Sequence, residues 1–147
     1  MLAATPAAAA GMLKASKMRV PAASAPILGS DRDAGAIVAS HENAERAGVA
    51  SDIVFEEKVI SRIAPPAGAS PGAIVTNPPY GVRVGDRDAL RNLYAQLGTI
   101  ARERFAGWRL VALSADPRLD SQIGGTMEPV LSTKNGGIAV RAMRSTT

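Results

Sequence analysis

The sequence has no cysteine and a single histidine, His41. Without cysteine there are no disulfides, thiolate metal sites or cysteine nucleophiles. One histidine cannot build a zinc site or a Ser-His pair on its own, and His41, in "ASHENAERAG", reads as a solvated residue on a helix face. No metal site is expected. Long apolar runs are missing as well, so no segment is fit to cross a bilayer and no membrane partner is expected. The chain reads as cytoplasmic. Acidic residues are absent before Asp31, whereas Lys14, Lys17 and Arg19 are present. A secretory signal places its charge ahead of the apolar stretch. Here the charge follows it, so residues 1–25 read as an alanine-rich linker or helix remnant. Aromatic residues make up only 3% of the chain, which makes the place of each one informative.

What is present describes one domain of ordinary size. The 147 residues are 46% hydrophobic and 20% charged, a globular composition. Seventeen Lys and Arg against thirteen Asp and Glu give a net charge of +4, which permits a polyanionic partner without requiring one. From Pro26 onward strand and helix signals alternate. "PILGSD" predicts a strand, and "AGAIVASHENAERAG" a helix with Gly48 at its C-terminal cap. "DIVFEEKV" predicts a second strand, followed by a Pro- and Gly-rich loop. "GAIVTN" is apolar without alternation, as in a strand covered on both faces. Leu90, Leu93, Leu97 and Ile100 recur at helical spacing between about Asp86 and Phe105. "WRLVALSA" predicts a buried strand, residues 118–123 a short helix, and "EPVLST" and "GIAVRAM" a hairpin joined through "KNGG". No internal repeat is visible. The expected fold is α/β: an open, mostly parallel sheet that finishes with an antiparallel pair.

In such sheets ligands sit beyond the carboxyl ends of the strands. Two features fall there. Asp31 closes the first strand, and a carboxylate at that place offers two adjacent acceptors to the hydroxyls of a ribose. Asp31 or Asp33 equally suits the cap of the following helix, and both readings stay open. The second feature is "NPPY" at residues 77–80. Methylating an exocyclic amino group requires its nitrogen lone pair to leave conjugation with the ring and face an electrophilic methyl. The Asn77 carboxamide oxygen and the Pro78 carbonyl are acceptors able to hold the two N–H bonds, and the fixed φ of Pro78 and Pro79 keeps them in place. Tyr80 then stacks on the face of a flipped or single-stranded base. Asn77 is not a base at neutral pH, so its role is positioning and electrostatic stabilisation. The competing reading is a strand-ending turn with an incidental tyrosine.

"SDRDAGAIVASHENAERAGV", "IVTNPPYGVRVG", "FAGWRLVALSADPRL" and "STKNGG" together resemble the catalytic domain of the ribosomal RNA large subunit methyltransferase K/L family, whose members often carry a THUMP domain. The resemblance runs over about residues 26–143, so that residues 26–147 are expected to be a partial, Rossmann-like class I methyltransferase domain. It implies transfer of a methyl group from S-adenosyl-L-methionine to guanine N2 in ribosomal RNA. It also implies that Asp31, with Arg32 beside it, holds the cofactor together with Asn77. Asn77, Pro78, Pro79 and Tyr80 would engage the base, and Arg83 would lie beside the RNA.

Two departures from the family pattern stand out. The first strand and its glycine-rich cofactor loop have no counterpart before Asp31, and neither does a THUMP domain. The strands that end at Asp31 and Asn77 are therefore expected to keep unpaired edges, and the chain alone neither to bind cofactor tightly nor to methylate RNA. Val59 stands where many relatives place an Asp against the cofactor adenine, which leaves that contact either to Glu57 or to the backbone alone. Lys134 and Asn135 are expected either to contact RNA or the cofactor pocket, or simply to form a hairpin turn. The arginines between Arg83 and Arg109 are interleaved with acids and read as a solvated helix face, while Phe105 and Trp108 read as core. Two alternative functions remain: adenine N6 methylation of DNA or RNA, and a catalytically silent binding module.

Overall fold

The computed structural model describes residues 25–80 and 87–146. The chain divides into two compact units, residues 1–60 and 61–147. The expected boundary near residue 26 adjoins residues 1–24, which lie outside the described residues.

In the first unit, strand β1 (Ile27–Asp31) pairs in parallel with β2 (Ile53–Glu57), Ile27 opposite Ile53 and Asp31 opposite Glu57. Helix α1 (Ala34–Ala47) crosses between them. Asp33, not Asp31, starts that helix: its side chain accepts the Gly35 N–H at 2.8 Å. Gly48, at φ 71°, ends it. The Gly48 and Val49 N–H groups turn back to the carbonyls of Glu45 and Ala44, both at 2.9 Å, which satisfies two orphan carbonyls of the last turn. Gly29 leaves room for the Phe55 ring, because a Cβ there would sit 2.6 Å from it. Exposed His41 packs edge-on against that ring, with centroids 4.9 Å apart.

The second unit holds a four-stranded sheet in the order β3-β4-β6-β5. Its strands are β3 (Ala73–Thr76), β4 (Arg109–Ser114), β5 (Met127–Asn135) and β6 (Ile138–Ser145). β3 and β4 run parallel, and β6 inserts antiparallel to both β4 and β5. The carboxyl ends of β3, β4 and β5 therefore point the same way. Helix α2 (Arg87–Arg104) and the short α3 (Pro117–Ile123) pack on each other. α3 begins on the Asp116 side chain, which accepts the Arg118 N–H at 2.8 Å, with Pro117 in the first turn where its missing N–H costs nothing. The core gathers Tyr94, Leu97 and Ile100 from α2, Leu110 and Ala112 from β4, Ile123 from α3, and Val140 and Met143 from β6, each no more than 6% exposed. Phe105, 6% exposed, is buried as the core reading expected, and half-buried Trp108 meets it edge to face, centroids 5.3 Å apart.

Among the described residues β1 pairs only with β2, and β3 only with β4, so each keeps the unpaired edge expected of it. Three expectations need correction. β3 is not covered on both faces: as an edge strand it alternates, and Val75 is 76% exposed. "KNGG" is not the turn itself. The turn is Gly136–Gly137 at φ 56° and 86°, because a two-residue hairpin loop of this hand needs positive φ at both positions, and Lys134 and Asn135 remain in β5. The arginines of α2 are not all a solvated face either. Arg102 donates to the Ile123 carbonyl at 2.6 Å, and Arg104 to the Ser61 and Ile63 carbonyls at 2.7 and 3.2 Å, so both fasten chain turns.

Candidate active site

In the first unit the carboxyl ends of β1 and β2 carry Asp31 and Glu57 as register partners, which puts two carboxylates side by side. Both are exposed, as is Arg32. One oxygen of Asp31 accepts the Asp33 N–H at 2.9 Å, which orients the carboxylate just past the strand end. Asp33 has taken the helix cap, so Asp31 is not needed for it. Val59, 41% exposed, lies two residues beyond Glu57.

In the second unit Asn77 follows the last residue of β3, and its side chain is exposed with no hydrogen-bond partner among the described residues. Pro78 is buried and Pro79 exposed, so the first proline anchors the loop while Asn77 stays open. Tyr80 is half-buried, and its phenol oxygen accepts a hydrogen bond from Asn135 Nδ2 at 2.7 Å. The structure thus brings Tyr80 and Asn135 together across 55 residues of sequence. Lys134, the neighbour of Asn135 in β5, is exposed. Arg83 lies outside the described residues.

Sequence reasoning missed the buried polar groups behind this loop. Tyr94 is fully buried, yet its hydroxyl has no aligned hydrogen-bond partner among the described residues. Burial pushes its pKa up to about 12, opposed by the nearby Ser114 hydroxyl and reinforced by Asp120, Asp116 and Tyr80. Ser114 Oγ instead faces the backbone of Asp116, accepting its N–H at 3.3 Å. The helical spacing of Tyr94 between Leu90 and Leu97 was the available signal for its burial. Because the phenol ionises near 10 when unfolded and near 12 when folded, the unfolded chain releases its proton first as pH rises. Stability is expected to be intact below pH 10 and to fall by about 2–3 kcal/mol as pH climbs to about 12. Urea titrations across that window should show the fall, and Tyr94→Phe should remove most of it.

A separate open cleft of about 260 Å³ lies beside α3 and the hairpin and contains none of the expected site residues. At its wall Arg141 donates to Asp120, a residue only 7% exposed, at 2.9 Å. Among the described residues no group of His, Asp or Glu is arranged to hold a metal, and no helix is long and apolar enough to cross a membrane.

Residues 4–142 match the model of the RMKL-like methyltransferase domain. The chain belongs to that family. It is similar to the ribosomal RNA large subunit methyltransferase K/L of Syntrophotalea carbinolica, 40% identical over 119 residues, and to that of Allochromatium vinosum, 36% identical over 115 residues. The matches take in 80% and 78% of this chain but 17% and 16% of those proteins, so the chain spans about a sixth of their length. Among solved structures it resembles a possible methylase from Clostridium difficile 630 with TM-score 0.70 and 27% identity, covering 82% of this chain and 31% of that one. A structure of SMU.472, described as a methyltransferase candidate complexed with SAH, gives TM-score 0.72 at 22% identity over 81% of this chain and 31% of that one, which shows the shared fold. The structure of a methylase from Listeria monocytogenes str. 4b F2365, named for a predicted N6-adenine-specific activity on DNA, gives TM-score 0.62 at 26% identity over 79% of this chain and 29% of that one. The RMKL-like family and the methyltransferase fold expected from the four resembling segments are thus the ones found.

Proposed function

We propose that this chain supplies the base-handling loop and the ribose-facing acid of an S-adenosyl-L-methionine-dependent RNA methyltransferase, acting on the N2 amino group of a guanine in large-subunit ribosomal RNA. The observation that carries the reading is the loop itself: an open carboxamide at Asn77, seated on buried Pro78 directly past a parallel strand, with a tyrosine beside it held by its phenol. The cofactor fits the donor set, because Asp31 ends β1 as an exposed, oriented carboxylate with acceptor capacity left for ribose hydroxyls, and Glu57 beside it offers an acceptor for the adenine amino group. When bound, S-adenosyl-L-methionine supplies the electrophilic methyl group. Asn77 Oδ1 and the Pro78 carbonyl accept the two N–H bonds of the substrate amino group and so turn its lone pair out of the ring plane. Tyr80 stacks on the base face. Lys134 and Arg83 meet RNA phosphates, and solvent takes the proton that the amino group sheds.

A second reading, methylation of adenine N6 in DNA or RNA, uses the same residues on a different amino group and is favoured by the name of the Listeria structure. In a chain completed with the glycine-rich cofactor segment, incubation with methyl-labelled cofactor and separate RNA and DNA pools, followed by nucleoside analysis of the digests, decides between them. Label in N2-methylguanosine supports the first reading, whereas label in N6-methyladenosine or its deoxy form replaces it. In the same completed chain, Asp31→Ala is expected to weaken cofactor binding by about 1–3 kcal/mol through the loss of charge-assisted hydrogen bonds. Calorimetric titration measures this directly, and an unchanged dissociation constant removes Asp31 from the site.

A further inference from the structure

The sheet order separates β3 from β5 by two intervening strands, about 14 Å from edge to edge at ordinary strand spacing. Their ends also differ in height. Thr76 pairs with Ala112, Ala112 with Met143, and Met143 with Pro129, so these residues form one row across the sheet. Asn135 pairs with Ile138, five residues from Met143 along β6, and therefore stands about 17 Å beyond that row. Residues 138–140 of β6 pair with β5 alone, so the end of the hairpin is a two-stranded arm projecting past the carboxyl edge of the sheet. Tyr80, four residues past Thr76, reaches the tip of this arm and accepts the hydrogen bond from Asn135.

We infer that Asn135 is the positioning residue for Tyr80: the projecting hairpin holds the phenol by its oxygen, so that the ring face is presented to an unpaired base. The inference rests on the reading of Tyr80 as the base platform and moves Asn135 from a direct RNA contact to an indirect role. A tyrosine anchored only through its Cβ swings about two side-chain torsions, and a second anchor at the oxygen removes that freedom. Because the bond is donated by Nδ2, the phenol keeps its own O–H for a substrate acceptor. The anchor is stiff for a local reason, since a two-residue Gly136–Gly137 turn fixes the register that places Asn135 at the strand end. The hydrogen bond itself is solvent-exposed and is worth a factor of about five in the population of the held ring.

The chain has two tyrosines, Tyr80 and Tyr94, so selective ring labelling with carbon-13 gives one reporter for the site and one buried reference. Asn135→Ala is expected to shift and broaden the Tyr80 ring signals while leaving those of Tyr94 nearly in place. It is also expected to weaken binding of a short single-stranded RNA of mixed sequence about five-fold. Tyr80→Phe should cost the same, and the double variant should lose no more than either alone. Two single losses that multiply in the double variant would show Asn135 touching RNA directly, and the inference would fall. Tyr80 signals that do not move in Asn135→Ala would overturn it as well. If the wild-type chain shows no RNA-dependent change at Tyr80, the base-platform reading fails on its own. The RNA-free Tyr80 spectra then still decide the positioning role, for it by moving or against it by staying.

Discussion

Gly98→Ala is expected to destabilise the second unit by about 3 kcal/mol or more, at the upper end for overpacked sites. Helix propensity alone argues the opposite, since Ala in a helix interior is favoured over Gly by about 1 kcal/mol. Sterics decide the sign. A Cβ at Gly98 would stand 1.7 Å from the carbonyl oxygen of Ile123 and 2.6 Å from its carbonyl carbon, and these are backbone atoms that no rotamer change can move aside. The same carbonyl accepts the Arg102 guanidinium at 2.6 Å, one helical turn further along α2. The end of α3 is thus pinned to a notch in α2, with Gly98 as the floor and Arg102 as the clamp. Inserting a methyl separates the two helices and breaks the clamp together with the packing of Ile123, which is 2% exposed. Urea unfolding followed by Trp108, the single tryptophan, measures the effect. A midpoint equal to or above that of the parent would mean that the helices part at no cost.

Gly98 also marks the limit of what the sequence made legible. Elements governed by neighbours in the chain could be read directly. The glycine stop of α1, the period of α2 and the terminal hairpin all follow from residues within a few positions of one another. The period did not separate Leu93, which is half-buried, from Tyr94, which is fully buried, nor did it reveal a glycine required by a helix 25 residues away. Those facts depend on which surface packs where. The site divides along the same line. The candidate residues Asn77, Pro78, Pro79 and Tyr80 stood out because three residue types in four consecutive positions each suit a separate demand of amino-group methylation. The partnership of Tyr80 with Asn135 did not, because it depends on β6 inserting between β4 and β5 and on a two-residue turn fixing the register. Asp31 falls between these cases. Its place at a strand end was readable, but its release from helix capping needed the observed bond from Gly35 to Asp33.

In a chain completed with the glycine-rich cofactor segment, Asn77→Ala is expected to lower kcat about 10²- to 10³-fold, the usual cost of removing one preorganised polar group from a transition-state site. Cofactor affinity is expected to stay nearly unchanged. The separation follows from where the carboxamide stands: exposed, past the end of β3, without a hydrogen-bond partner among the described residues, so that no structural bond is lost with it. Pro78 is buried and its backbone geometry does not depend on the Asn77 side chain, so the second acceptor, the Pro78 carbonyl, remains and the substrate still enters. On the proposed reading, what disappears is the group that turns the amino lone pair toward the methyl, an interaction stronger in the transition state than in the ground state. It should therefore appear in kcat more than in KM. Asn77→Asp tests the same point from the other side. It keeps an acceptor oxygen at the same reach but adds a charge, and it should recover part of the rate if acceptance of the N–H bond is the function. Single-turnover methyl transfer combined with calorimetric cofactor titration separates the two quantities. An Asn77→Ala variant that loses cofactor binding while each bound complex turns over normally would place Asn77 on the cofactor side of the site and leave the base to Pro78 and Tyr80 alone.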